Sequence, residues 1–182
     1  SMIELASKQT TNNNIINNTI TTAGTAGDYG IYITSSSNNN TFISNNITTT
    51  GAGAYGFYSD TSTNSTLTGN RFNTSSAVAI YVTGTTASEY NLSIDTSNLA
   101  EGLPIWYNYS KSNQVILQNT NVSNSIGQLI CAWCNNVTYN NVNMTADGFG
   151  FYNTSNSKIN NSKVNTNNGY GILGYGSDAS FL

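Results

Sequence analysis

A short phrase made of a small residue, a large apolar residue and an aromatic residue recurs along almost the whole chain. Its clearest copies are Gly30-Ile31-Tyr32, Gly56-Phe57-Tyr58 and Gly150-Phe151-Tyr152. Looser copies are Ala79-Ile80-Tyr81, Pro104-Ile105-Trp106, Leu129-Ile130-Cys131 and Gly171-Ile172-Leu173. The central apolar residues are therefore 21 to 26 residues apart. A period in the low twenties is typical of a solenoid, in which each repeat is one coil that buries its core only against its neighbours.

A second phrase places two apolar residues five positions apart with Asn between them. It occurs at Phe42 to Ile47, Leu67 to Phe72 and Tyr139 to Met144, among other places. Asn tolerates a left-handed backbone and bonds to the nearby main chain, so the phrase predicts two short strands joined by a tight bend. The asparagines expected to form a hydrogen-bonded ladder at this bend are Asn17, Asn45, Asn70, Asn119, Asn141 and Asn161.

Together the two phrases predict an all-β fold, a right-handed single-stranded parallel β-helix of about seven coils with 21–26 residues each. We expect one domain over 1–182, with an incomplete first coil at 1–30, an irregular coil at 80–104 and an open last coil at 172–182. The residues predicted to point inward are Ile31, Phe57, Ile80, Ile105, Ile130, Phe151 and Ile172. The residues two positions earlier are expected on the same face by the period of two; they are Tyr29, Tyr55, Val78, Leu103, Phe149 and Tyr170.

Charge and hydropathy exclude several classes of function. Charged residues make up only 7% of the chain and the net charge is −3, which argues against a nucleic-acid surface. No stretch approaches the ~20 apolar residues of a membrane-spanning helix, so no membrane insertion is predicted. Asn-Xaa-Ser/Thr triplets suggest an exported glycoprotein, although so Asn-rich a chain also generates them by chance. The glycosylation candidates are Asn17, Asn39, Asn46, Asn64, Asn73, Asn91, Asn108, Asn121, Asn136, Asn143, Asn153 and Asn160.

An aromatic stripe is predicted on the outer face of the first sheet, one residue per coil. Its members are Tyr32, Tyr58, Tyr81, Trp106 and Tyr152. A shift of one residue in the strand alternation would instead bury these side chains. On the outside they would form a contact surface, because Tyr and Trp stack on sugar rings or pack against a neighbouring chain.

Two cysteines form a Cys-Xaa-Xaa-Cys motif at Cys131 and Cys134. A zinc site needs further Cys or His ligands, and the chain has none. In a straight strand the two Cα atoms would lie ~10 Å apart, too far for a disulfide. Either the pair closes a small loop at a turn, or the cysteines pair between subunits, or they remain two thiols without function.

The repeats resemble the right-handed parallel β-helix of the pectate-lyase-like superfamily, as seen in Gly30-Ile31-Tyr32-Ile33 and in Asn135-Asn136-Val137-Thr138-Tyr139. Within it they are most similar to Asn/Thr-rich archaeal surface proteins, including the sheath proteins of methanogens. The enzymes of this superfamily use clustered Asp with an Arg or Lys base, or several Asp on neighbouring coils. This chain has no histidine, and Asp28 and Asp147 occupy equivalent places four coils apart.

The sequence therefore predicts a structural extracellular protein of the cell envelope, with no enzymatic activity, no cofactor and no metal site. We expect a subunit of a sheath, surface layer or fibre that assembles with itself through open solenoid ends and the aromatic outer face. The final Ser180-Phe181-Leu182 offers no polar cap, and the first coil offers only Glu4 and Lys8. The alternative is a carbohydrate-binding or adhesin module of a larger surface protein, and an enzyme ranks behind both.

Overall fold

The computed structural model describes residues 2–5, 10–24, 27–118, 126–166 and 169–176. It is an all-β solenoid of about seven turns with parallel sheets and almost no helix, which confirms the predicted fold class. A single turn of 3-10 helix spans Ala87–Tyr90. In this described part of the chain no helix has the length and apolarity needed to cross a bilayer. Lys8, Asn119, Asn121 and Ser180 to Leu182, which the sequence singled out, lie outside the described residues.

The first four coils form one stack of three parallel sheets. The strands are β1 (Ile3–Leu5), β2 (Asn14–Ile16), β3 (Thr19–Thr22), β4 (Ile31–Ile33), β5 (Thr41–Ile43), β6 (Asn46–Thr49), β7 (Phe57–Asp60), β8 (Thr66–Thr68), β9 (Arg71–Thr74), β10 (Ile80–Thr83), β11 (Ser93–Ile94) and β12 (Leu99–Ala100). Sheet 1 has the order β1-β4-β7-β10 and sheet 2 the order β11-β8-β5-β2. Sheet 3 begins with β3, β6, β9 and β12.

The remaining coils form a second stack. Its strands are β13 (Leu103–Tyr109), β14 (Ser112–Gln118), β15 (Gln128–Ala132), β16 (Asn135–Asn140), β17 (Asn143–Met144), β18 (Gly148–Tyr152), β19 (Lys158–Asn160), β20 (Lys163–Val164) and β21 (Ile172–Tyr175). Strand β13 pairs antiparallel with β12, whereas β13, β15, β18 and β21 pair in parallel. Sheet 3 therefore continues across both stacks, but the chain reverses direction between them.

The first stack is held together by apolar side chains that lie over one another in successive coils. Ile31, Phe57 and Ile80 are register partners, and all three are fully buried. Gly56, just before Phe57, sits where an added Cβ would lie 2.7 Å from the Phe72 ring and 2.8 Å from a main-chain oxygen. The glycine of the repeated phrase is thus required by close packing, because no side chain fits there.

The second stack covers the end of the first. Ile130, Ala132 and Tyr152 of the second stack pack into the core of the first stack, whereas Cys131 and Phe151 pack into a separate core between the sheets of the second. Strands β15 and β18 are consequently buried on both faces. The sheet formed by β13, β15 and β18 therefore packs with one face against the core of the second stack and with the other face against the core of the first.

The prediction of inward-pointing residues is confirmed for six of the seven and is wrong for the last. The six fully buried residues are Ile31, Phe57, Ile80, Ile105, Ile130 and Phe151. Ile172 is 47% exposed, because it pairs with Phe149 on the outermost strand, and Leu173 packs against the first core in its place.

The predicted single ladder is also wrong in the second stack. Ile105 pairs with Gln128, and Ile130 pairs with Gly150, not with Phe151. In the first stack Tyr29 and Tyr55 do not point inward but lie half-buried beside the outer aromatic residues, and Tyr170 is exposed. The strand alternation does not extend to Tyr29 and Tyr55 because β4 and β7 begin only at Ile31 and Phe57.

An asparagine ladder runs through the first stack at the bend between sheets 2 and 3. Its members are Asn18, Asn45, Asn70 and Asn98. The Asn70 Oδ1 atom accepts from the main chain and the side chain of Asn45, at 3.0 and 2.9 Å. The Asn70 side-chain amide donates to the Asn98 Oδ1 atom and to the Phe42 carbonyl.

The prediction of this ladder is confirmed for Asn45 and Asn70 and wrong at the other described positions. Asn17, Asn141 and Asn161 occupy the left-handed position one residue before the ladder position, with φ of 58°, 55° and 47°. In the second stack the ladder position holds Val142 and Ser162, and the Ser162 hydroxyl accepts the Val142 N–H.

Candidate functional site: the tyrosine face

A cluster of tyrosines covers the outer side of sheet 1, and we call it the tyrosine face. Its members are Tyr29, Tyr32, Tyr55, Tyr58, Tyr81 and Tyr175. Tyr32, Tyr58 and Tyr81 are register partners on three neighbouring strands, so the parallel pairing itself stacks them. Tyr29 and Tyr55 come just before β4 and β7, and their rings pack against those of Tyr32 and Tyr58.

The rings are in continuous contact from the first stack to the second. The Tyr55 and Tyr81 rings are nearly parallel, with centroids 4.1 Å apart, and those of Tyr32 and Tyr58 are 4.9 Å apart. The Tyr175 ring meets the Tyr81 ring edge-on at 6.0 Å. Tyr175 is 42% exposed and the other members of the face are half-buried. A partly solvated aromatic surface of this kind offers both flat apolar area and hydroxyl groups to a partner.

A row of polar side chains runs beside the aromatic row, two residues further along each strand. Thr34, Asp60 and Thr83 follow Tyr32, Tyr58 and Tyr81 at the same spacing, so they lie on the same face. The Asp60 carboxylate accepts from the Thr83 hydroxyl at 2.9 Å and from the Thr34 hydroxyl at 3.4 Å. The Tyr58 hydroxyl in turn lies 3.0 Å from the Thr83 hydroxyl.

Two residues of the predicted stripe lie elsewhere. Tyr152 is fully buried, and its hydroxyl donates to the Ile80 carbonyl at 3.0 Å. Trp106 is half-buried and packs against the core of the second stack. Tyr152 still contacts the tyrosine face, because its ring meets that of Tyr81 edge-on with centroids 5.7 Å apart. Its burial removes it from the surface, and Tyr175 is the exposed residue of the second stack that continues the stripe.

Burial raises the pKa of four phenols of the face. Desolvation raises the pKa of Tyr58 to about 12, partly opposed by its hydrogen bond to Thr83. Desolvation also raises the pKa of Tyr29, Tyr55 and Tyr81, each with a further contribution from neighbouring tyrosines. At neutral pH these four side chains are neutral hydroxyl groups that both donate and accept hydrogen bonds.

Cys131 and Cys134 form a disulfide within the chain, with Cα atoms 5.8 Å apart. Trp133 between them adopts a left-handed backbone, with φ of 55°, and this bend brings the sulfur atoms together. Both cysteines are buried. Of the alternatives open from the sequence, the structure shows the small loop closed at a turn.

Among the described residues, the acidic side chains form no group of three or more that could hold a metal ion. Asp147 is fully buried, and one of its carboxylate oxygens accepts the Ala79 N–H at 2.5 Å, while the other has no hydrogen-bond partner among the described residues. Desolvation raises the pKa of Asp147 to about 8, and the nearby Glu101 contributes. Glu101 is bonded to the Thr74 N–H at 2.6 Å, and Asp60 lies on the tyrosine face. Asp28 is half-buried, and its main-chain carbonyl accepts the Thr22 hydroxyl.

Neither of two clefts on the described surface combines paired carboxylates with a base. One, of about 320 Å³, lies beside the disulfide and is lined by Trp133, Asn135 and Asn153 among others. The other, of about 190 Å³, is lined by hydroxyl and amide groups with Glu101 as its carboxylate. Hydroxyl and amide side chains line both clefts.

The glycosylation candidates differ in accessibility. The exposed ones are Asn17, Asn39, Asn46, Asn64, Asn73, Asn91 and Asn136. Asn108, Asn143, Asn153 and Asn160 are half-buried. Asn39, Asn64 and Asn91 follow one another along a single corner of the first stack, where the Asn64 N–H donates to the Asn91 carbonyl.

Comparison with known proteins identifies the family of the chain. The family described as "Periplasmic copper-binding protein (NosD)" matches residues 3–103, the span of the first stack and of the hairpin that closes it. No curated protein and no solved structure gives a significant match.

The donor chemistry of this chain does not fit the copper in that description. The matched residues contain no His, Cys or Met, whose nitrogen and sulfur atoms are the ligands that copper prefers. Both cysteines are held in the disulfide, and the described residues contain no group of three or more His, Cys, Asp or Glu side chains that could hold a metal ion. The solenoid is nevertheless the fold of the matched family, and the match spans more than half of the sequence: the chain belongs to the NosD family of right-handed parallel β-helix proteins.

Proposed function

We propose that the chain is a non-catalytic structural protein of the cell surface that assembles with copies of itself in a sheath, surface layer or fibre. The observation that carries this proposal is the tyrosine face, a continuous row of partly exposed rings that runs from one stack to the other. Aromatic rings in rows of this kind bury large areas at a contact while their hydroxyl groups remain hydrogen-bonded.

Strand edges add a second contact surface. In the described part of the chain β1 and β21 each pair with a single neighbour, so each presents one row of unpaired main-chain groups. Ile172 is exposed on β21, and Ile16 is exposed on β2, which lies at the end of sheet 2. Unprotected edges of parallel strands pair with other chains, and few charges are present to oppose this.

The placement outside the cytoplasm rests on two observations. The matched family is described as periplasmic, and the chain contains a disulfide, which persists in oxidising compartments. We do not extend the copper of the family description to this chain, because the donor set does not fit. The proposal of a non-catalytic role rests on the dispersed carboxylates.

Sedimentation of the full chain over a range of concentrations, with negative-stain imaging, tests the proposal. We expect filaments or sheets that high salt weakens little, because the contacts are aromatic and main-chain groups. Tyr32→Lys should prevent assembly, whereas Thr68→Lys, which places the same charge on the outer face of sheet 2, should not. A monomer at all concentrations, or equal assembly by both variants, would contradict the proposal.

A carbohydrate-binding module is the second candidate, favoured by the partly exposed Thr34 and Asp60 beside the aromatic row. Sugars are bound by rings that stack on their apolar faces and by hydroxyl or carboxylate groups that bond their edges. A screen of immobilised glycans separates the two candidates. Binding that is lost in Asp60→Asn, by a protein that remains monomeric, would favour the module over assembly.

A further inference from the structure

The closest aromatic pair of the tyrosine face joins two different coils. Tyr55 precedes β7 in the third coil, and Tyr81 lies within β10 in the fourth. Their ring centroids are 4.1 Å apart and their planes are inclined by only 14°. At this distance the carbon atoms of the two rings are in van der Waals contact, and the stacked strands hold them there.

From this geometry we infer that Tyr55 and Tyr81 form an oxidative cross-linking site, at which a carbon–carbon bond between the two rings fastens the third coil to the fourth. The inference does not depend on whether the face meets another copy of the chain or a glycan. It concerns a covalent modification within one molecule.

The oxidant is hydrogen peroxide activated by a haem peroxidase, which removes single electrons from phenols. Each ring loses one electron and its phenolic proton, which leaves a neutral radical with unpaired spin on the carbons next to the C–O bond. The two radicals join at these carbons, and the two displaced ring hydrogens move to the oxygens to restore both phenols. In total the protein loses two hydrogen atoms, and one molecule of hydrogen peroxide becomes two molecules of water.

The rest of the face favours this pair over others. Tyr175 is 42% exposed and its ring lies 6.0 Å from that of Tyr81, so an oxidant at the surface reaches the row there. Tyr29 stacks on Tyr55 with centroids 5.6 Å apart, so a radical formed on a neighbouring ring is close enough to transfer along the row. Coupling then takes place where two rings are already in contact, because fixed proximity raises the rate of a reaction between two groups by orders of magnitude.

Peroxidase and hydrogen peroxide, applied to the dilute full chain, test the inference. We expect dityrosine fluorescence in the monomeric fraction and, after proteolysis, one linked peptide pair that contains Tyr55 and Tyr81 and is two hydrogen atoms lighter than its parts. Tyr55→Phe and Tyr81→Phe keep the rings stacked and should each lose this peptide pair. Tyr32→Phe, a matched change in the same row, should keep it.

The thermal unfolding of each variant shows that it is folded, and in the wild type the midpoint should rise after oxidation. The inference is overturned if the monomer contains no dityrosine under conditions that couple free tyrosine. It is equally overturned if the linked peptides join other tyrosines, or if Tyr55→Phe gives the wild-type yield. Cross-links found only between chains would likewise exclude a site within one molecule.

Discussion

The side-chain amide of Gln128 bonds to both main-chain groups of Ile80. Its Oε1 atom accepts the Ile80 N–H at 2.9 Å, and its Nε2 atom donates to the Ile80 carbonyl at 2.9 Å. Ile80 lies on β10, the last strand of sheet 1, so these are the groups that a further coil would have bonded. One glutamine of the second stack therefore replaces one residue of a missing strand, and the buried edge keeps its hydrogen bonds.

Replacement of this glutamine by leucine should destabilise the protein without a large change in volume. Gln128→Leu leaves the buried Ile80 N–H without its partner, which costs about 1–3 kcal/mol. The Ile80 C=O loses one of two donors and keeps its bond from the Tyr152 hydroxyl. Chemical denaturation measures the loss, and hydrogen exchange at the Ile80 amide locates it. Gln114→Leu, at an exposed position of β14, is the matched control and should change the stability little. Equal stability of both variants would show that the Gln128 bonds do not hold the edge.

The register of the second stack predicts a large loss of stability on truncation of one isoleucine and a small loss on truncation of another, although both occupy the same position in the repeated phrase. Ile130→Ala removes a fully buried side chain and should cost about 2–5 kcal/mol of the free energy of unfolding. Ile130→Asp should prevent folding, because it buries a charge without a partner. Ile172→Ala, at a 47% exposed position, should cost less than about 1 kcal/mol. A similar loss of stability in both alanine variants would indicate that Ile130 and Ile172 are equally buried, as the single ladder of inward residues predicted.

The asparagine ladder should be most sensitive at its centre. Asn70 is fully buried and bonded to Asn45, Asn98 and Phe42, so Asn70→Ala leaves several polar groups unpaired. We expect a loss of about 2–4 kcal/mol, several times the ~1 kcal/mol of one ordinary hydrogen bond. Asn46→Ala, one residue beyond the ladder at an exposed position, is the control. If thermal unfolding does not distinguish the two variants, the ladder contributes no net stability.

The coils of the first stack could be predicted from the sequence because one set of interior positions repeats with a nearly constant period. Ile31 and Phe57 are one coil apart in sequence and adjacent in space, so the spacing of apolar residues specifies the register. The same argument found the outer position of Tyr32 and Tyr58, since alternation along a strand places neighbours on opposite faces.

The junction of the two stacks could not be predicted in this way. Glu101 and Gly102, both with positive φ (51° and 82°), form the two-residue turn that reverses the chain. Such turns favour Asn, Asp or Gly at their first position, so the sequence Glu-Gly does not predict a hairpin. Beyond the turn, strands such as Gln128–Ala132 are buried on both faces, so they show no alternation from which to read a register. Asn98 was missed in the ladder because it lacks the apolar pair that marks its equivalents.

No lyase or hydrolase activity on polygalacturonate or related acidic glycans is expected. Asp147 is buried at the junction of the stacks and Asp60 is bonded to two threonines on the tyrosine face, so neither is paired with a base at an open cleft. Reducing-end release and the absorbance of unsaturated products measure hydrolysis and elimination. Turnover that disappears in Asp147→Asn or Asp60→Asn, with the fold intact, would show that the chain is an enzyme.

Asp147 should make the stability of the protein depend on pH. Burial raises the pKa of Asp147 to about 8 in the folded state, whereas in the unfolded chain an aspartate has a pKa of about 3.9. Between these values the folded state keeps a proton that the unfolded state has lost. The free energy of unfolding therefore falls as pH rises, by at most about 1.4 kcal/mol per pH unit. The contribution is fully present below pH 4 and is lost as the pH passes about 8.

The charged and titratable groups that face Asp147 are Glu101 and Tyr152. Glu101 also has a raised pKa, through desolvation, but it is partly exposed and its share of the slope is smaller. Asp147→Asn keeps an oxygen for the Ala79 N–H and cannot ionise, so its stability should vary less between pH 4 and 8 than that of the wild type. Glu4→Gln, at an exposed position of β1, should keep the wild-type slope. Denaturation curves at a series of pH values decide between these outcomes, and an equal slope in Asp147→Asn and the wild type would mean that Asp147 is ionised in the folded protein.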